Sequence, residues 1–395
     1  MSTAEGAGAG RRPVRVVLVT PYYPAHRGGV ERIAGELAAR LAAAGDTEFL
    51  WFASDCDPPP PPAPGLAAVP AGATNACERR LGVPYPLWSP AAHAALARAV
   101  RATDLVHLHD ALYQPCLAAF AAARACRRPV LVTQHVGHVP YRNALLRAAL
   151  AGANRTLAAA VLARAERVVF ESESVRAYFS RFVRFAHPPL LVPNGVDTER
   201  FHPASAAERE QLRRRLGVGE GQPLVLFVGR FVEKKGLAVI AELAAHFPRV
   251  LWLLAGWGPI DPTRWGLANV RVVSKPDINA LLPLYRAADL LVLPSVGEGF
   301  PLAVQEAMAC GTPALVGAQT AAGCGVPGAP ILAEPTGVAD AVARWKRRLA
   351  ALLARAEELA RMRDTVCEFA RREWSWARCI AAYRTAIDHC LRDRQ

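Results

Sequence analysis

Residues Asp289–Ala318 read DLLVLPSVGEGFPLAVQEAMACGTPALVGA. Leu290–Leu293 is an unbroken apolar run of strand length. Val296–Phe300 is a glycine-bearing loop, the residues from Leu302 recur as in a helix that stops at Gly311, and "TPALVGA" returns as a second strand. Runs that are apolar throughout, rather than alternating, fit strands buried on both faces of a parallel sheet. The stretch is therefore a strand–helix–strand unit. It also carries two carboxylates, Glu298 and Glu306, on either side of a Gly-Phe-Pro turn. Pro301 suits the first helical position, which puts Glu298 in the loop and Glu306 in the second turn of the helix.

The same rhythm extends in both directions. Upstream, "PLVLFVGR", "KGLAVIAELAAHF", "RVLWLLAGWG", "NVRVVS" and "INALLPLYRAA" alternate strand and helix. Nearer the start, "VRVVLVT", "GVERIAGELAARLAAAG", "DLVHLHD", "YQPCLAAFAAARAC", "PVLVTQH" and "RVVFES" do the same. The rhythm breaks at "LLVPNGVDTERFHPASAAERE", where Pro193, Asn194 and Gly195 make a turn. The expected fold is α/β, with two Rossmann-like, doubly wound parallel-sheet domains facing across a cleft. Residues 1–200 form the first domain and 201–375 the second, and a terminal helix at about 376–395 returns to the first. In open parallel sheets ligands lie beyond the carboxyl ends of the strands, so function is sought there.

The chain has 395 residues and a net charge of +13, from 47 Lys and Arg against 34 Asp and Glu. That balance favours anionic partners. The arginines are scattered along helices and form no nucleic-acid-binding motif, so nucleic acid is not an expected partner. The nine cysteines include no C-x-x-C pair and suggest neither a disulfide framework nor a zinc site. No signal peptide is read at the start and no window is read as reaching transmembrane length. The expected location is the cytoplasm or the inner face of the cell membrane.

Strand ends supply the candidates. In "PYYPAHRGGVER", Gly28 and Gly29 open a helix whose free N–H groups suit an anion, although an ordinary glycine turn explains them as well. His109 and His135 end apolar strands, with His107 on the same strand face as His109, and a histidine at a strand end serves as structural hydrogen-bond partner, sugar ligand or acid–base group. A metal site from His107, His109 and Asp110 does not close into a tetrahedral set. In "FVGRFVEKKG", Arg230 and Lys235 place a fork and a point charge where a diphosphate would sit. "LLAGWGP" makes a tight turn at Gly256 and Gly258, open to a base or ribose. The dipole of the helix after Pro301 points its positive end between Glu298 and Glu306. One carboxylate would hold the hydroxyls of a sugar and the other those of a ribose.

"EGFPLAVQEAMACGTPAL", "FVGRFVEKKG", "LAGWGP", "LVPNGVDTERFHP" and "PYYPAHRGGVER" together resemble, in order and spacing, the retaining glycosyltransferases of family 4, which have the GT-B fold. The resemblance covers nearly the whole chain. It implies that Arg230 and Lys235 bind the donor diphosphate, with Gly28 and Gly29 on the facing domain. It implies that Glu306 binds the ribose. Glu298, with Gly299, Phe300, Pro301 and Leu302, would contact the donor sugar beside Gly256, and His135 would stand near the transferred sugar. Glu298 and His135 are the catalytic candidates, and His109 and Tyr113 are assigned to the acceptor side. Two positions depart from the family pattern. Pro301 stands where many members have Gly and removes one backbone N–H. Ser274 in "VRVVSKPD" stands where Gly is frequent.

The implied reaction moves a hexose from a UDP- or GDP-sugar to a hydroxyl of a glycan, lipid-linked or small-molecule acceptor, with no cofactor and no metal. A sugar-nucleotide-binding protein without turnover is the principal rival. A nicotinamide oxidoreductase is disfavoured by the missing G-x-G-x-x-G. The stretch "YRNALLRAALAGANRTLAAAVLARAERVV" has two readings, a surface lying on an anionic membrane or a pair of packed core helices.

Overall fold

The structure, a computed structural model, describes residues 12–392 apart from 27, 82 and 139–142. Strands β1 (Val14–Val19), β2 (Thr47–Ser54) and β3 (Leu66–Ala71) come first, followed by a short hairpin of β4 (Ala73–Thr74) and β5 (Leu87–Trp88). Strands β6 (Leu105–His109), β7 (Val130–Gln134), β8 (Arg167–Phe170) and β9 (Leu190–Leu191) complete a seven-stranded parallel sheet in the order β3-β2-β1-β6-β7-β8-β9. The second sheet holds β10 (Leu224–Arg230), β11 (Leu251–Trp257), β12 (Val270–Ser274), β13 (Leu290–Leu293), β14 (Ala314–Gly317) and β15 (Leu332–Glu334). Its order is β12-β11-β10-β13-β14-β15.

The strand order reverses between β1 and β6 in the first sheet and between β10 and β13 in the second. A doubly wound sheet opens a crevice at such a point. The loops after these four strands carry Gly28–Arg32, Asp110, Arg230–Lys235 and Ser295–Pro301. The sheet order alone therefore gathers most of the candidate residues. The central strands read as continuous apolar runs because helices cover both faces: Leu224–Phe227, Leu290–Leu293 and Ala314–Val316 are fully buried.

Helix Leu302–Ala309 begins one residue later than the sequence reading places it. Pro301 is its N-cap, with φ −69° and ψ 133°, and not the first helical residue. The extended ψ keeps Pro301 outside the helix, and Glu306 still falls in the second turn.

Two crossings join the domains. The chain passes to the second domain at Val192–Val196 and returns at Trp374–Trp376. The crossings lie side by side: Val196 N–H donates to Trp374 O at 2.7 Å, and Val196 and Ser375 form a parallel bridge. Helix Trp376–Arg392 then lies on the first sheet, burying Trp376, Cys379, Tyr383 and Ile387 in one cluster with Val16, Leu18, Ile33 and Leu37. A Cβ at Gly195 would run into the Trp376 indole, so the crossing needs glycine at that position. The last three residues of the expected terminal helix lie outside the described residues.

The expectation about transmembrane length needs one correction. Ala144–Leu162 forms a helix of 19 residues with mean hydropathy 1.2, long and apolar enough by composition to cross a bilayer. Its middle, Asn154–Ala158, widens into a π-turn. Alanine, which is mildly apolar and a strong helix former, supplies most of the length and hides the run among the other Ala-rich helices. Tyr141 and Arg142, at the head of the quoted stretch, lie outside the described residues.

Candidate functional site

The second domain builds its half of the cleft from two strand ends. After β10 the chain turns through a short 3₁₀ segment, Glu233–Lys235, closed by Gly236 in the left-handed region at φ 74°. Val296 N–H, beyond β13, donates to Lys234 O at 2.8 Å and fastens the two loops together. This brings Lys235 Nζ to 2.6 Å from Glu298 Oε2, with Lys234 Nζ at 3.6 Å from Oε1. Both Lys235 and Glu298 are largely buried, with side chains 14% and 11% exposed. A carboxylate paired in this way keeps lone pairs for further donors. Arg230 ends β10 and stands over the Trp257 ring at 4.7 Å, the partner position on β11. Its planar group is exposed at the same strand end as Lys235.

Glu306 joins the domains. Its Oε2 accepts from Tyr285 Oη at 2.8 Å, and its Oε1 accepts from Arg32 Nη2 at 2.5 Å, 274 residues away in sequence. Burial, then the adjacent Glu306 charge, pushes the Tyr285 phenol far up, so it remains a neutral donor. Arg32 lies in the first turn of helix Gly29–Ala42. Each carboxylate oxygen carries two acceptor sites, so Glu306 can still receive hydroxyl donors. Arg32→Ala is expected to raise the dissociation constant of a nucleoside-diphosphate ligand about tenfold, the loss of one charge-assisted hydrogen bond that orients Glu306. Titration calorimetry on both forms checks this, and equal affinities reject the orienting role.

The first domain contributes a buried histidine chain. Both ring nitrogens of His135 are engaged: Nδ1 lies 2.5 Å from Glu171 Oε2, and Nε2 lies 2.8 Å from His109 Nδ1. Burial alone would lower the His135 pKa, but the Glu171 carboxylate outweighs it and the value rises to about 9. His135 is therefore an imidazolium at neutral pH, donating on both sides. His109 is buried and its pKa is driven well below the ordinary value. Its Nδ1 accepts from His135. His107 pairs with Thr133 Oγ1 at 2.8 Å. Asp110, at φ 66°, accepts from Gln134 Nε2 and from the backbone N–H groups of His135 and Val136 at 2.8 to 3.0 Å. It shapes the strand-end loop. Among the described residues no group of three His, Cys, Asp or Glu side chains is placed to hold a metal ion.

Several candidates acquire a packing role. Gly29 has open space where a Cβ would stand, whereas the space at Gly28 is filled by the buried Glu31 side chain. Gly256 and Gly258 make room for backbone of the neighbouring strand end, at Gly229 and Phe231. That accounts for both without a ligand. Phe300 is buried with its ring 5.2 Å from Trp374, which leaves its backbone for the cleft. Gly299 lies against Ser172 and Val175 of the first domain, and Leu302 against that domain's core. Tyr113 caps helix Gln114–Ala125, with its ring stacked on Tyr85 at 5.5 Å.

Sequence reasoning misses Arg32, Tyr285, Glu31 and Glu171. Glu171 was within reach, since it follows β8 as His135 follows β7. Arg32 and Glu31 stand in the quoted "GGVER", but nothing local says which of them reaches the other domain.

Comparison with known proteins agrees with this geometry. Residues 27–200 match the family described as Glycosyltransferase Family 4, and residues 222–350 match the family Glycosyl transferases group 1. A D-inositol 3-phosphate glycosyltransferase of Geodermatophilus obscurus is 33% identical over 58% of this chain. The chain spans about half of that relative's length, 54%. A D-inositol 3-phosphate glycosyltransferase 1 of Catenulispora acidiphila is 32% identical over 75% of each chain. Among solved structures, sucrose-phosphate synthase of Thermosynechococcus elongatus superposes with TM-score 0.74 over 96% of this chain and all of its own, at 21% identity. An Anabaena protein solved with UDP and glucose superposes with TM-score 0.72 over 95% of this chain and 99% of its own, at 17% identity. At these identities the superpositions establish the two-domain GT-B architecture.

Proposed function

The chain belongs to glycosyltransferase family 4, and from that membership we propose that it moves a hexose from a UDP- or GDP-sugar to an acceptor hydroxyl with retention at the anomeric carbon. The carrying observation is the buried Lys235–Glu298 pair at the strand ends beside the mouth of helix Leu302–Ala309. Lys235 and Arg230 take the charge that develops on the departing diphosphate, and the free N–H groups at the helix mouth add to it. Glu298 accepts from hydroxyls of the transferred hexose, and Glu306 accepts from the ribose. The bond from the anomeric carbon to the phosphate oxygen breaks as the bond to the acceptor oxygen forms on the same face. The acceptor proton passes to the leaving phosphate, so the protein need supply no separate base.

The His109–His135–Glu171 chain has no exchangeable role in this scheme. Its imidazolium, balanced by the Glu171 carboxylate, donates to His109 and fixes that ring beneath the first domain's strand ends. The acceptor is a glycan, lipid-linked or small-molecule hydroxyl. The relatives named for D-inositol 3-phosphate, with the net charge of +13, support one that carries a phosphate beside its hydroxyls.

A screen of nucleotide sugars for thermal stabilisation identifies the donor, because a bound ligand stabilises by mass action. Release of nucleoside diphosphate with added acceptors then tests turnover. Stabilisation without release under every acceptor would establish the binding protein and reject the transferase. Glu298→Gln is expected to lower turnover about ten- to a hundredfold, the worth of a charge-assisted hydrogen bond to the sugar. Normal kinetics in that variant would reject the sugar contact.

A further inference from the structure

Helix Ala144–Leu162 leaves the first domain's core in a way that no part of the reaction explains. Its first ten residues, ALLRAALAGA, are apolar or small apart from Arg147, yet none of them is buried. Leu145 is 83% exposed and Leu157 is 51% exposed, while soluble surfaces rarely present large aliphatic side chains so openly on one helix. The second half is anchored: Asn154, Ala158, Val161 and Leu162 are buried, and Asn154 Nδ2 donates to Gly137 O at 3.2 Å. The helix therefore cannot pass through a bilayer despite its length. It lies along the domain with Leu145 and Leu157 exposed on one flank.

The segment that holds the helix carries charge of one sign. From Ala111 to Ala165 the sequence contains seven arginines and not one Asp, Glu or Lys. Arg147 and Arg155 lie on the helix itself, and Arg164 follows just beyond its end. On the adjoining surface Arg155 stands 6.0 Å from the Phe182 ring and Arg181 stands 5.5 Å from the Tyr178 ring. Exposed leucines among arginines and aromatic rings, with Glu173 on the adjoining helix paired to Arg176, are the composition of a helix lying in an anionic lipid interface. A second copy of the chain is a poor occupant, because the face would bring arginines against arginines.

We propose that this flank docks on an anionic bilayer, with Leu145 and Leu157 entering the headgroup–acyl boundary and the arginines meeting lipid phosphates. The contact is independent of the transfer reaction. Gly137 ties the helix to the loop after β7, so docking also brings the His135 end of the cleft next to the lipid surface. That last consequence rests on the transferase reading.

Flotation with vesicles of phosphatidylcholine alone, and with about 30% phosphatidylglycerol, tests the docking. The full chain is expected to float with the anionic vesicles, to remain behind with the neutral ones, and to be released by high salt. The double variant Leu145→Glu, Leu157→Glu should bind anionic vesicles at least tenfold more weakly, with an unchanged melting temperature because both side chains are exposed. Arg155→Glu provides a second variant, with the charge reversed and the leucines kept, and should weaken binding in the same direction. Wild-type protein that fails to float, or variants that float equally well, would overturn the proposal. So would a dimer of the wild type that the double variant abolishes without any lipid binding. Donor turnover measured without lipid should be equal in wild type and the double variant, which separates this result from the fate of the transferase reading.

Discussion

Lys235→Ala is expected to lower turnover by about 100- to 1000-fold, the usual loss when one preorganised partner of a developing charge is removed. Lys235 is held in place by Glu298 and by the tether between the two strand-end loops, so its charge needs no reorganisation as the diphosphate departs. The substitution also leaves Glu298 buried, with Lys234 at 3.6 Å as its remaining cation. Donor affinity should therefore fall together with turnover. Steady-state release of nucleoside diphosphate reads the first quantity and ligand-induced thermal shift the second. Lys235→Arg, which keeps the charge but changes its shape, should recover part of the rate. Wild-type turnover in Lys235→Ala would remove the diphosphate from this strand end.

Glu171→Gln should destabilise the first domain near neutral pH by about 2 kcal/mol, and the loss should depend on pH in one direction. In the folded chain His135 holds its proton up to about pH 9, and in the unfolded chain it releases it near the ordinary value of 6.5. The raised value stabilises the fold fully below pH 6.5, and that contribution fades as the pH climbs through 9. Wild type and Glu171→Gln should thus differ most at pH 6, by roughly 5 °C in melting temperature, and converge by pH 10. The same variant should lower the His135 titration midpoint seen by NMR. A melting difference that grows with pH would contradict a protonated His135 in the folded chain.

The sheet architecture was legible because burial on both faces writes itself into single strands. "PLVLFVGR" and "DLLVLPS" need no partner to be recognised. The position of the cleft followed from strand ends, and Lys235 with Glu298 followed from two such ends, β10 and β13, with two helices and the strands β11 and β12 between them. Local sequence was less informative where one residue serves two surfaces. Pro301 fits either the first helical position or the cap, and only its ψ decides. Gly256 reads as an opening for a ligand, but its space is taken by Gly229. Arg32 meets Glu306 across 274 residues, a separation at which no periodicity carries information. The exposed leucines of Ala144–Leu162 are spelled like the buried leucines of any helix, because exposure is a property of neighbours.

The paired crossings at Val196 and Trp374 restrict how the two halves of this molecule can travel. A single linker would allow the lobes to swing in any direction. Two adjacent strands, bonded to each other and wedged by an indole against Gly195, leave one easy rotation, like a book bound along its spine. The width of the gap between Arg32 and Glu306 then depends on a single angle, set at a crossing where Asn194 O accepts from Gln305 Nε2, next to Glu306. A bulkier side chain at Gly195 would alter how often the book lies open, and so the pace of substrate entry and product escape, without touching an atom that meets the sugar.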